Sequence, residues 1–236
     1  MTATDVISPF SYTQHDWDIE WKRIPSNVKY DRPYEPESKK DQEILEAIAC
    51  VGVIGGLQLK NLFNVDRQHI KKMMQRHLLV EHQIWKNNDK AIPIYTIGKA
   101  GANKIMPEYK QNYWMEMNVE DVLKCLSFFQ FCYLFQDKEV SILPAPEPFS
   151  GSVQMDGKLF LIYVTRGKVE DLLMFLKWRK NFSDRIFIIT ESISYLKGLD
   201  VFIETLSLKV RVVLDKDLKD RTSMFYYYQQ GKGWMT

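Results

Sequence analysis

The sequence predicts an α+β fold, and three observations carry the prediction. Between Asp41 and Ile97 three short helical patterns are followed by two β-rich runs around a polar turn. Between Glu139 and Leu214 strand patterns alternate with helical ones, which implies an α/β layer with at least two parallel neighbours. At 236 residues the chain is long enough for one large core or two small ones, and two domains is the natural division.

Residues 1–40, rich in Pro, Ser, Asp and Tyr, read as an arm and linker. Within them DWDIEWKRI (16–24) alternates enough for a short strand or arm, and its two tryptophans favour packing on the chain's own body or on a second copy. RPYEPESKKD (32–41) is the linker. DQEILEAIACVG (41–52) then sets Ile44, Leu45 and Ile48 on one helical side with acids in the first turn. Gly52, Gly55 and Gly56 interrupt it. GLQLKNLF makes a second helix around Leu57, Leu59, Leu62 and Phe63, and Asn64-Val65-Asp66 forms a turn in which Asp66 caps the next. The third helix is DRQHIKKMMQRHLL (66–79), with Ile70, Met73, Met74 and Leu78 inward. VEHQIWK, NNDK and AIPIYTI follow as a hairpin, then GKAGANKIM as a short helix or loop. Helix, helix, turn, helix, hairpin is the order of a winged helix-turn-helix, here over residues 41–110.

Asn118 and Asp121 stand at capping-box spacing at the head of NVEDVLKCLSFFQFCYLFQD. Val122, Leu126, Phe129 and Tyr133 line one side, widened by Phe128, Phe131, Leu134 and Phe135 into a core or dimer-forming helix. Next come a strand and proline-rich turn (EVSILPAPEPF), a hairpin turning at Asp156-Gly157, a helix (VEDLLMFLKW) and a buried strand (RIFIIT). A helical stretch (SYLKGLDVFIETLS) and a further strand (VRVVL) follow. Leu159, Leu161 and Tyr163 alternate with Phe160, Ile162 and Val164, so both faces of the returning hairpin strand are apolar, as in a covered sheet. The aromatic end, RTSMFYYYQQGKGWMT, has no clear period. Residues 119–236 are thus an α/β domain.

Net charge is only +2, so a nucleic-acid partner must be argued from local clustering. Residues 56–106 hold nine Lys and Arg against three acids, a local balance of +6. With the apolar set turned inward, the third helix presents Arg67, Gln68, Lys71, Lys72, Gln75 and Arg76. Gln and Arg are the types that read adenine and guanine edges with two hydrogen bonds each. The wing tip adds Lys86, Asn87, Asn88 and Lys90 for phosphate or minor-groove contact. These ten residues are the candidate double-stranded DNA contacts. A basic helix face is also an ordinary solvated face, and winged helices also dock proteins. A protein-interaction adaptor is therefore the alternative.

The remaining chemistry is sparse. Three cysteines without CxxC spacing argue against zinc and against a disulfide framework; Cys125 and Cys132 fit small core residues. His69 and His77 lack i,i+4 spacing and an evident carboxylate partner, so they read as partly buried or phosphate-side residues. Phosphate-binding loops, nucleophile elbows and helical His-Glu pairs are absent from the sequence. No cofactor, metal or catalytic residue is expected, and the chain reads as a non-enzyme. The N-terminus has no basic start or apolar run of signal length, so the expectation is a cytoplasmic protein without membrane contact.

The wing's close in YTIGKAGANKI, similar to a "Y-x-L-T-x-x-G" ending, the NVEDVLKCL helix, and the hairpin with its Asp156-Gly157 turn, Arg166-Gly167 and amphipathic helix together resemble the replication-relaxation family of plasmids and other mobile elements. The likeness spans roughly residues 41–215. It implies a sequence-binding regulator of transcription or replication on a plasmid, phage or other mobile element, with a C-terminal half of restriction-endonuclease-like fold. That fold cuts DNA when an acid at the start of the hairpin, and an acid plus a lysine on its returning strand, hold a divalent metal. Those positions fall here near Phe149, Ser150 and Gly151, and near Tyr163, Val164 and Thr165. None is an acid. Asp156 lies at the far turn, and Glu170 and Asp171 begin the next helix. Lys158, Arg166 and Lys168 remain, and cations alone repel a metal. The missing acids make the domain of this fold catalytically degenerate, with a metal-dependent nuclease the least favoured reading; because winged helices gain specificity by pairing on two half-sites, the expected role of the domain is homodimerisation or contact with a protein partner. The aromatic helix, the tryptophan arm and the FYYYQQGKGW tail are the surfaces expected either to pair or to fill the chain's own core.

Overall fold

A computed structural model describes residues 7–26, 38–106, 108–179, 182, 184–219 and 224–236. The fold is α+β, in two compact units: His15–Phe129, and Gln130–Thr236 together with the segment up to Gln14. Among the described residues no helix is long and apolar enough to cross a membrane.

The first unit begins with β1 (Trp17–Glu20) and α1 (Lys39–Val51). The Ser38 hydroxyl accepts from the Asp41 N–H at 3.1 Å and starts α1 two residues before the acid expected to open it. Gly52, at φ 114°, ends it by donating its N–H to the Ile48 carbonyl at 2.7 Å. Ile44, Leu45 and Ile48 are wholly buried, each contributing about 1.5–3 kcal/mol of apolar burial. β2 (Ile54–Gly55), α2 (Gly56–Phe63) and α3 (Arg67–Gln75) follow, then β3 (Leu79–Lys86), β4 (Lys90–Ile97) and α4 (Lys99–Ile105). The strands form one antiparallel sheet ordered β1-β3-β4-β2. Leu57, expected inside α2, is 75% exposed, whereas Leu59 is buried.

The last helix to begin in this unit is α5 (Val119–Tyr133), and the unit boundary falls within it. The expected capping box is present: Asn118 N–H donates to Asp121 Oδ2 and Asp121 N–H to Asn118 Oδ1, each at 3.0 Å. Phe128, Phe129 and Phe131 are wholly buried within the single chain, which takes these rings out of the set of pairing surfaces.

The second unit holds β5 (Val140–Leu143), β6 (Gly151–Met155), β7 (Lys158–Thr165), α6 (Glu170–Lys177), β8 (Arg185–Thr190), α7 (Leu199–Leu206) and β9 (Lys209–Leu214). They build a mixed sheet in sequence order, antiparallel from β5 to β7 and parallel from β7 to β9. The hairpin strand β7 is central, as its two apolar faces require. Leu161, Tyr163, Ile186, Ile188, Val210 and Val212 form one face, buried with Leu172 and Leu176 of α6 and Leu199 and Ile203 of α7. On the other face the Phe187 ring meets Phe131 at 5.0 Å and Phe225 at 5.5 Å. The tail forms a hairpin that its sequence did not announce, β10 (Tyr227–Gln229) against β11 (Gly233–Met235). A single bridge, Val212 to Tyr226, ties it to β9. The expected tail residues Arg221 to Ser223 lie outside the described residues.

Candidate nucleic-acid interface

Two devices fix α3 at its ends. Asp66 Oδ1 accepts from the His69 N–H at 2.7 Å, the expected N-cap. At the other end His77 takes the left-handed conformation (φ 57°), its N–H bonds the Met74 carbonyl and the Leu78 N–H bonds the Met73 carbonyl. That pair is a Schellman motif, with buried Met73 and Leu78 as its apolar contact. The helix therefore stops at Gln75, shorter than its apolar period predicts, because Leu78 serves the cap rather than a further turn.

Ile70 and Met73 are buried, and Arg67, Gln68, Lys71, Lys72 and Gln75 are exposed on the remaining face. None of these five side chains makes a hydrogen bond or ion pair to a described residue. Arg67 approaches Tyr95 closely enough for its charge to oppose the rise of the phenol's pKa, a rise driven by burial and by Glu81, which accepts the Tyr95 hydroxyl at 3.0 Å.

Arg76 departs from this set. Lying past the end of the helix, half-buried, it donates Nη1 to Asp41 Oδ2 at 3.3 Å, while His69 Nε2 lies 2.6 Å from Asp41 Oδ1. Asp41 is buried, so two residues of the α3 segment are docked onto α1 through one carboxylate. The carboxylate partner that the sequence hid from His69 is thus an acid 28 residues earlier. The acid pattern of α1 had pointed only to a dipole role, but its period does single out Asp41, which lies three, four and seven residues before buried Ile44, Leu45 and Ile48 and so shares their face, whereas Glu43 and Glu46 point to solvent.

The β3–β4 hairpin turns through three residues, Asn87, Asn88 and Asp89, and both asparagines are left-handed at φ 52° and 53°, a conformation their side chains tolerate. Asn88 and Lys90 are exposed. Asn87 and Lys86 are engaged within the chain: Asn87 exchanges hydrogen bonds with the Asp16 backbone, at 2.7 Å to its carbonyl and 2.9 Å from its N–H, and the Lys86 ammonium lies 5.7 Å from the centre of the Trp17 ring. The cause is β1, which pairs along β3 from Trp17 opposite Lys86 to Glu20 opposite Gln83. The tryptophan arm is thereby a strand of the sheet, covering the hairpin's outer edge.

His82 holds that arm in place. Its Nδ1 accepts from the Lys22 N–H at 2.9 Å, so Nε2 carries the proton and donates to Thr96 Oγ1 at 2.8 Å. Trp21 and Trp114 each stand 4.9 Å from its ring. Burial first, and Lys22 second, lower its pKa to about 3, so the ring is neutral.

In the second unit, the carboxyl ends of the parallel strands carry an ionic cluster. Arg166, just beyond β7, pairs with Asp215 at the end of β9 and lies 3.7 Å from Glu191 beyond β8. Arg166 and Asp215 are buried, and Asp215 Oδ1 has no hydrogen-bond partner among the described residues. Glu191 accepts from the Ser11 hydroxyl at 2.7 Å and the Tyr12 N–H at 3.0 Å. Two acids therefore do stand near this end of the hairpin, contributed by β8 and β9 rather than by the hairpin strands, and a guanidinium lies between them. Among the described residues no group of three or more His, Cys, Asp and Glu is placed to hold a metal ion. Comparison of the chain with protein-family models, with curated proteins and with solved structures returned no match.

Proposed function

We propose that the protein binds double-stranded DNA through α3, as a winged helix-turn-helix with the β3–β4 hairpin as its wing. The observation that carries this reading is the exposed row Arg67, Gln68, Lys71, Lys72 and Gln75 on a helix fixed by Asp66 and the His77 cap. A helix with fixed ends presents its donors in one register, which base reading in a major groove requires. Asn88 and Lys90 supply the wing contact, while Asn87, Lys86 and Arg76 support the frame. In this reading the second unit is a nuclease-like domain without the acids of the hairpin strands, and pairing of two copies, through surfaces other than the buried α5 rings, sets the spacing of half-sites. The biological role is control of transcription or replication on a plasmid, phage or other mobile element.

The test is duplex binding by fluorescence anisotropy across a salt series, comparing the wild type with Arg67→Ala/Lys71→Ala/Lys72→Ala. Arg76 is left intact because it serves Asp41. Loss of three phosphate contacts should lower the slope of log affinity against log salt by up to about 3. Affinity and slope equal to wild type would remove the DNA reading and favour the adaptor, whose basic face is only solvated.

A further inference from the structure

We infer that the second unit carries a separate site for single-stranded nucleic acid, in the cleft between β9 and the tail hairpin. The inference does not depend on α3. After the bridge at Val212 and Tyr226 the two strands part, and a cleft of about 470 Å³ opens, a size typical of ligand sites. Its lining includes three cations, Arg185, Lys209 and Arg211, and the rings of Phe160, Tyr227 and Tyr228, with no acid among the lining residues.

Register explains why the cations converge. Phe160, Arg185 and Lys209 are direct partners across β7, β8 and β9, and Phe187 and Arg211 are partners two residues on. Since side chains alternate along a strand, all five lie on one face. Like charges directly opposite each other destabilise a sheet, so the Arg185–Lys209 pair costs stability unless an anion offsets it. Among the described residues none does: the three cations make no ion pair there, and the nearby Glu204 accepts the Tyr228 hydroxyl at 2.8 Å. The Arg211 guanidinium lies over the Tyr227 ring, 5.2 Å from its centre.

A cationic row beside a half-buried aromatic ring, Tyr227, is the chemistry of a strand-binding groove: cations follow the phosphates and the ring stacks on a base. A duplex satisfies only the first half, because its base faces are stacked on one another. The fitting occupant is therefore an unpaired nucleotide within a strand, with Lys209 and Arg185 at the phosphates and the Arg211–Tyr227 pair at the base.

The experiment uses the full chain and a fluorescein-labelled dT20 oligonucleotide, read by anisotropy, with thermal melting of each variant as a folding control. Lys209→Ala/Arg211→Ala, both at exposed positions, should weaken dT20 binding at least tenfold and leave duplex binding within twofold of wild type. Tyr227→Leu removes the stacking ring while keeping the charges, and should weaken dT20 about fivefold or more. A strand carrying 5-bromodeoxyuridine should crosslink under ultraviolet light to the β10 segment. Absence of dT20 binding by the wild type, unchanged binding in the double variant, or competition by poly-glutamate equal to that by unlabelled dT20 would each overturn the site. Because Arg67→Ala/Lys71→Ala/Lys72→Ala should leave dT20 binding intact, failure of the duplex reading and failure of this one are separately visible.

Discussion

Acidification should loosen the first unit through His82. Its folded pKa of about 3 lies below the ordinary 6.5, so the unfolded chain takes up the proton first. The contribution of the neutral ring is fully present above pH 6.5 and is lost as pH falls through the window from 6.5 towards 3. At pH 5 the unfolded ring is about 1.5 pH units below its pKa while the folded ring is still neutral. At about 1.36 kcal/mol per unit, the loss between pH 7.5 and 5 is about 2 kcal/mol. His82→Gln has no titrating ring but keeps a donor and an acceptor for Thr96 and Lys22. Urea unfolding of both proteins, followed by tryptophan fluorescence at pH 7.5 and 5, isolates the effect, because other groups titrate alike in both. The wild type should lose about 2 kcal/mol more than the variant. Equal losses, or a His82 ring proton that titrates near pH 6.5 by NMR, would refute the buried neutral histidine.

Two further perturbations probe the frame. A Cβ on Gly98 would overlap the His77 carbonyl oxygen, which accepts from the Ala100 N–H at 3.1 Å, so Gly98→Ala should cost about 1–3 kcal/mol and lower the melting temperature; an unchanged melting curve would contradict the close approach. Arg166→Met leaves the Asp215 carboxylate buried without its ion pair and should cost about 3–5 kcal/mol, much of it regained in Arg166→Met/Asp215→Leu; a double variant no better than the single one would show that packing, not charge, dominates there.

What was legible in the sequence was local. Asp66 and the Asn118–Asp121 pair announce helix starts because their side chains accept from backbone N–H groups three residues away, and Asn87-Asn88 announces a turn because asparagine tolerates φ above zero. Covered strands such as β7 and β8 are readable as unbroken apolar runs. Partners far apart in sequence were not readable. Nothing in WDIE names Gln83 to Lys86 as its neighbours, so the arm's pairing with β3, and with it the engagement of Lys86 and Asn87, came only with the structure. The outward row of α3 followed from its period up to Gln75, and failed at Arg76, where the period no longer applies and the distant Asp41 decides the direction. The tail hairpin rests on left-handed Gly231 and Gly233 and on aromatic packing, neither of which produces a period.

The bonds from Ser11 and Tyr12 to Glu191 bear on how this molecule can be cut apart. The first described residues belong to the unit whose body starts more than a hundred residues later, so the linear order of the chain is not the order of its cooperative pieces. A fragment spanning 130–236 would leave Glu191 facing water where it had two donors, and a fragment starting at residue 15 would trim one unit while appearing to trim the other. Dissection into independent halves calls for a circularly permuted chain, with residues 7–14 rejoined to the C-terminal piece, rather than for a single cut.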